Sequence, residues 1–174
     1  MPSLSDFCLS FRKETMMRLD IGCGCNPTGN VNCDLFIGKN PHLNAGKMEI
    51  RPKTIPNFVR CDANCLPFRA KVFSESFCSH VLEHRGVNCV KVLREMVRVT
   101  ENRMLVVVPH RFVKGKWGKR CKMHDKYFGT VNIRRLFRML GLNPEIEIKY
   151  RCFPHDSLCW VRLPWEMKIE LFLK

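Results

Sequence analysis

A chain of 174 residues with 45% apolar side chains is long enough for one domain with a sizeable core. Its 30 Lys and Arg against 16 Asp and Glu leave it at +14, and the excess is uneven: residues 1–84 carry 10 basic and 8 acidic side chains, residues 85–174 carry 20 and 8. That asymmetry points to a polyanionic partner, while no apolar run nears the ~20 residues of a membrane span and residues 1–17 lack the pattern of a secretory signal; a cytoplasmic monomer is the expectation.

Residues 1–17 read as an arm ahead of the domain. Arg18 to Gly24 reads as a first strand running into a glycine turn, and Val31 to Asp34 as a second strand. Asp20 and Asp34 are only 14 residues apart, and Pro27 and Gly29 lie between them. The helix that usually separates two parallel strands is therefore absent or reduced to a turn. Ile37 to Pro56, rich in Gly, Pro, Asn and Lys, reads as an irregular loop with room for one helical turn.

Phe58 to Asp62 is a third strand and Ser74 to Val81 a fourth. Val87 to Thr100 places Val90, Leu93 and Val97 at helical spacing. Arg103 to Pro109 is a buried fifth strand. Arg111 to Arg138 holds ten basic residues and one acid, Asp125. Val131 to Leu140 reads as a helix capped by Gly141. Glu145 to Phe153, Leu158 to Leu163 and Met167 to Leu173 read as strands. The expected fold is a single α/β domain over 1–174, a doubly wound and mostly parallel sheet with an antiparallel C-terminal edge hairpin.

Two carboxylates closing adjacent strands, with Gly22 and Gly24 between them, propose a site for a nucleoside-containing cofactor. Glycines let a backbone approach a ligand closely, and an acid at a second strand end suits ribose hydroxyls. A glycine turn between two strands is the plainer reading of that stretch alone. The 11 cysteines include no C-x-x-C pair. They read as small buried hydrophobes in a reducing compartment, with no metal site expected.

Four segments then occur in a fixed order: DIGCG-x-NP from Asp20, N-x-D at Asn32 to Asp34, CDANCLPF at Cys61 to Phe68, and SHVLEH at Ser79 to His84. This order resembles the class I S-adenosylmethionine-dependent methyltransferases, in particular a small branch with D-x-G-x-G, L-P-F and V-L-E-H segments, and among them small archaeal RNA methyltransferases. The resemblance spans roughly Arg18 to Gly141. It implies S-adenosylmethionine held by Asp20, Gly22, Gly24, Asp34, Asp62, Ala63, Leu66 and Ser79. Asp62 would accept from the adenine amine, the Ala63 amide would face the ring, and Leu66, Pro67 and Phe68 would wall it.

Such a donor brings its own electrophile, so the protein must align the reactants and take up one proton. His80, Glu83, His84 and His110, at two adjacent strand ends, are the polar candidates, with His110 or His80 first and Glu83 beside them. His124 and Asp125 could close over the site. The chain has no Pro-Cys pair for pyrimidine carbon methylation and no N-P-P-Y tetrad.

The basic stretch 111–130 interleaves aromatic residues, a composition that can neutralise phosphates and stack on bases. Arg111, Lys114, Lys116, Trp117, Lys119, Arg120, Lys122 and Tyr127 are its candidate RNA contacts. The first expectation is a methyltransferase acting on a base of ribosomal or transfer RNA, an exocyclic amine such as cytosine N4. The alternatives are a small-molecule methyltransferase and a non-catalytic RNA-binding factor on the same scaffold. A nicotinamide dehydrogenase fits worst, because Pro27 stands where a third glycine would.

Overall fold

Among the described residues of the computed structural model, short apolar strands build a seven-stranded mixed sheet with two amphipathic helices against it, beside a separate two-stranded antiparallel pair. The structure describes residues 16–39, 49–111, 126, 128–154 and 160–173. In chain order the elements are β1 (Arg18–Ile21), β2 (Val31–Asp34), β3 (Gly38–Lys39), β4 (Glu49–Ile50), a 3-10 turn at Pro52–Thr54, β5 (Phe58–Arg60), β6 (Phe73–Ser79), α1 (Cys89–Val99), β7 (Thr100–Pro109), α2 (Thr130–Arg138), β8 (Glu145–Pro154) and β9 (Trp160–Phe172).

Seven strands pair in the order β5-β2-β1-β6-β7-β9-β8. The first five run parallel. β9 lies antiparallel between β7 and β8, so the last two strands close the sheet as a hairpin with β8 outermost. The expected C-terminal edge hairpin is present, but the two strands anticipated at Leu158–Leu163 and Met167–Leu173 are one. Pro164 pairs with Tyr150 and Glu166 with Lys149, and the register shifts at that point. A proline offers no N–H to a ladder, and a bulge absorbs it without ending the strand.

One face of the sheet carries the core. Leu19, Ile21, Cys78, Met104, Val106, Val108, Met167, Ile169 and Leu171 form a single cluster with Val92, Leu93, Met96 and Val99 of α1 and Ile133 and Phe137 of α2. Both helices put apolar residues three and four apart on that side, which makes one stripe of each helix inward. Asn88 starts α1, its side chain accepting from the Lys91 N–H at 3.1 Å. Phe137 is fully buried at the α2 contact. Replacing it with alanine should cost about 3–5 kcal/mol through the cavity left behind, read as a fall in the urea midpoint at unchanged slope.

The opposite face is half-buried and charged. Arg103 on β7 bonds Glu75 on β6 at 3.1 Å and Glu170 on β9 at 2.6 Å. As anticipated, the β1–β2 connection contains no helix among the described residues. A small second cluster of Cys23, Ile50 and Ile55 stands there instead, packing β4 and the 3-10 turn region against the glycine turn. Among the described residues no helix is long and apolar enough to cross a membrane.

Candidate functional site

The parallel strands β1, β2, β5, β6 and β7 all deliver their carboxyl ends to one edge of the sheet, where ligands of open α/β folds bind. At the end of β1 the chain turns through Gly22 (φ 71°) and Gly24 (φ 55°), both in the left-handed region that favours glycine. The Gly22 and Cys23 amides donate to the Cys33 carbonyl at 2.8 and 3.1 Å, folding the turn onto β2. A Cβ at Gly22 would run into the Val81 side chain beyond β6. The turn and the SHVLEH segment are thus packed backbone against side chain.

Asp20 is almost fully buried. Its Oδ2 accepts from both the amide and the hydroxyl of Thr28, each at 2.8 Å. Burial pushes its carboxyl above the usual range, against the Thr28 bonds that lower it. Asp20 is therefore an internal strut that ties the two ends of the glycine turn together. Asp20→Ala should cost about 1–3 kcal/mol, because it leaves the Thr28 donors unpaired in a partly buried place. A lower thermal midpoint together with weaker donor binding would register it.

Asp34 and Asp62 are the carboxylates open to a ligand. Asp34 accepts from the Gly24 amide at 3.0 Å and the Phe36 amide at 2.9 Å, which orients it at the end of β2. Asp62 is exposed beyond β5. Its Oδ1 takes the amide and side-chain nitrogen of Asn64, both at 2.8 Å. Ala63 lies within the turn closed by the Cys65 amide on the Asp62 carbonyl at 2.9 Å.

Leu66 departs from its expected place. It is 3% exposed and belongs to the main core, so it does not wall an open pocket. Its amide donates to Glu95 at 2.8 Å, which holds that stretch down on α1. Pro67 is the exposed apolar residue of that segment, while Phe68 meets Phe73 edge-on at 5.0 Å. Burial pushes the Cys23 thiol up to about 12, so this cysteine of the turn is an apolar packing group rather than a nucleophile.

A donor with a nucleoside head fits these residues. A left-handed glycine turn gives backbone approach, and two oriented carboxylates at adjacent strand ends accept from hydroxyl and amine groups.

The second half of the site follows β6 and β7. Ser79 ends β6, half-buried and in register with Val107. His80 then takes φ 56° and its amide donates to the Val107 carbonyl at 2.9 Å. Its Nδ1 meets Glu83 Oε1 at 3.2 Å and its Nε2 meets Glu166 Oε1 at 2.9 Å. A neutral imidazole donates from one nitrogen only, so carboxylates on both select the charged ring.

The Glu83 bond accordingly raises the His80 pKa above the ordinary histidine value, and Glu166 adds to the rise against the opposing effect of burial. Glu83 is fully buried, and its Oε2 has no hydrogen-bond partner among the described residues. The His84 ring meets the His80 carbonyl at 2.7 Å. His110, at the end of β7, is 5% exposed. Burial first and Arg111 second lower its pKa, which favours the neutral ring.

Three hydrogen bonds bring the ends of the basic stretch to this place. The Arg111 amide donates to the Phe128 carbonyl at 2.7 Å. The Lys126 amide donates to the Glu83 carbonyl at 3.3 Å, and its Nζ to the His84 carbonyl at 2.9 Å. Arg111 is exposed at the start of that stretch, whereas Lys114, Lys116, Trp117, Lys119, Arg120, Lys122 and Tyr127 lie outside the described residues, as do His124 and Asp125.

Sequence reading missed Thr28, Asn64, Glu95, Arg98 and Glu166. The i,i+3 spacing of Glu95 and Arg98 on a helix was a readable signal. Nothing local marks Glu166, which meets His80 across 86 positions.

A family model described as a methyltransferase domain matches residues 19–108. No curated protein matches the chain by sequence. Among solved structures, an S-adenosylmethionine-dependent methyltransferase of Thermotoga maritima, described as a possible histamine N-methyltransferase, is 14% identical with TM-score 0.62 over 91% of this chain and 82% of its own. An S-adenosylmethionine-dependent methyltransferase of Methanosarcina mazei is 11% identical with TM-score 0.58, over 98% of both chains. The magnesium protoporphyrin IX methyltransferase of Synechocystis, solved with bound S-adenosylhomocysteine, is 10% identical with TM-score 0.56 over 98% and 80%. With the family model spanning more than half of the chain, this protein belongs to the methyltransferase-domain family and is a class I S-adenosylmethionine-dependent methyltransferase.

Proposed function

We propose that the enzyme methylates a nitrogen of a small, negatively charged acceptor. The observation that carries this reading is the double anchoring of the 111–128 stretch at the acceptor end, through Arg111 to Phe128 and through Lys126 to Glu83 and His84. The described ends of the stretch, Arg111 and Lys126, put basic side chains beside the reacting groups, and the basic composition between them suits an anion. The named acceptor of the Synechocystis neighbour, and the histamine suggested for that of Thermotoga maritima, are likewise small molecules.

When bound, the donor supplies a methyl group on a positively charged sulfur. Gly22, Gly24, Asp34 and Asp62 hold and orient it. His80, kept charged between Glu83 and Glu166, orients the acceptor side and is unsuited to accept a proton. A ring nitrogen of His110, neutral at physiological pH, takes the proton that the methylated nitrogen releases.

A second reading, methylation of an exocyclic amine such as cytosine N4 in ribosomal or transfer RNA, is favoured by the charge of residues 85–174 and by Arg134, Arg135 and Arg138 exposed on α2. The test is transfer of tritiated methyl to an extract of small metabolites and to total RNA, both from cells lacking the gene, with Asp20→Ala as control. Label in an anion-exchange-retained metabolite, lost with the variant, is the expected result. Label in nuclease-sensitive polymer would replace the first reading with the second.

A further inference from the structure

The segment that leaves β5 is exposed at the donor end, and beyond its own turn bonds its shape is set from outside. It is laid along α1 and held at three levels. At the start of α1, Asn64 Oδ1 accepts from the Asn88 amide at 2.8 Å and Asn64 Nδ2 donates to the Gly86 carbonyl at 3.4 Å. In the second half of the helix, Arg98 donates from Nη1 to the Phe68 carbonyl at 2.6 Å and from Nη2 to the Leu66 carbonyl at 2.9 Å. The same guanidinium grips Glu95 through Nε at 2.8 Å and Nη2 at 2.7 Å. Glu95 in turn accepts the Leu66 amide at 2.8 Å. At the helix end, Lys71 Nζ donates to the Val97 and Thr100 carbonyls at 3.2 and 2.7 Å.

We infer that Glu95 and Arg98, with Asn64, are positioning residues for donor recognition: they fix the Asp62–Phe68 backbone so that the Asp62 carboxylate and Ala63 amide present a fixed pattern to the base of the donor. The inference rests on the assignment of this strand end to the donor. Three observations support it. Asn64 bonds Asp62 Oδ1 twice, so the carboxylate cannot swing. Both carbonyls flanking Pro67 are spent on one guanidinium. A planar five-donor fork can bond two carbonyls and both oxygens of one carboxylate together, four bonds where an ammonium has three donors. The function of the pair is thus selectivity for the donor's base, beyond helix stability.

The test is calorimetric binding of S-adenosylhomocysteine and of its inosine analogue, in which the exocyclic amine is replaced by oxygen. Wild type should prefer the adenosyl compound. Arg98→Ala should weaken its binding by about tenfold or more and bring the preference for adenine towards one. Arg98→Lys should fall between, and Asp62→Ala should lose the same preference with no further loss in the double variant. Should Arg98→Ala not fold, Asn64→Ala carries the same readout. A folded Arg98→Ala or Asn64→Ala that keeps the wild-type preference would overturn the inference, even if its affinity or melting temperature dropped. A wild type that binds the two compounds equally would overturn it as well. Failure of wild type to bind either would remove the donor assignment itself, and the inference with it.

Discussion

Gly22→Ala is expected to abolish measurable donor binding and to destabilise the fold. Gly22 has φ 71°, where a side chain costs about 1–3 kcal/mol in backbone strain. The added methyl also meets the Val81 side chain, and a packed contact of that kind forces backbone movement costing roughly another 1–3 kcal/mol. The movement would disturb the two amides that fold the turn over Cys33. Because the turn is both the approach to the donor and the contact with the acceptor-side segment, the strain falls on the site itself. Calorimetry with S-adenosylhomocysteine and a urea titration measure the two effects. Val81→Ala added to Gly22→Ala removes the collision but not the left-handed backbone. It should therefore recover part of the stability and little of the affinity. Wild-type affinity in Gly22→Ala would show that the turn does not contact the donor.

The second large effect is expected at His80. His80→Ala leaves the Glu83 carboxylate completely buried without its one hydrogen-bond partner among the described residues. Stranding a buried charge typically costs 3–5 kcal/mol, and about 3 kcal/mol is expected here because the histidine end of the pair is 43% exposed. Replacing Glu83 by Gln in the same chain should restore much of that loss, since the stranded charge disappears.

The pH dependence has a definite sign. His80 titrates higher in the fold than in the unfolded chain. Its contribution is therefore complete below the unfolded value of about 6.5 and is lost as pH rises through the raised folded value. The stability gap between wild type and His80→Ala should narrow from pH 6 to alkaline pH in urea titrations. A gap that widened with pH would mean that His80 is neutral in the fold and that its two carboxylate contacts are formed otherwise. In activity, the same group should give wild type an alkaline limb absent from His80→Ala.

The glycine turn and the strand ends around it were legible in the chain because their determinants are local. Leu19 and Ile21, two glycines and Asp34 lie within 16 positions, and the turn they make follows from backbone geometry. Even there, role and position parted. Asp20, expected at the donor, is nearly fully buried and tied to Thr28, a bond across the loop that its place between two apolar strand residues does not record. Leu66, expected on a pocket wall, was taken by the core, since α1 binds the backbone on either side of it. The C-terminal strands were read as two because Pro164 breaks the pattern, while a bulge lets β9 run through it.

The acceptor half could be located from the sequence but not interpreted. The V-L-E-H segment and His110 were visible, and strand order placed them together. Whether His80 or His110 is charged depends also on burial and, for His80, on Glu166, which no local pattern records.

By itself, then, the sequence determined the α/β class, the parallel sheet with its antiparallel end, and the glycine turn with its strand-end acids, because periodicity and turn chemistry act over a few residues. Only the tertiary structure decided that His80 is clamped by Glu83 and Glu166, that His110 is the neutral ring, and that α1 holds the donor segment. Those outcomes rest on burial and on contacts spanning up to 86 positions, and the electrostatic state of a side chain follows from what the fold packs around it.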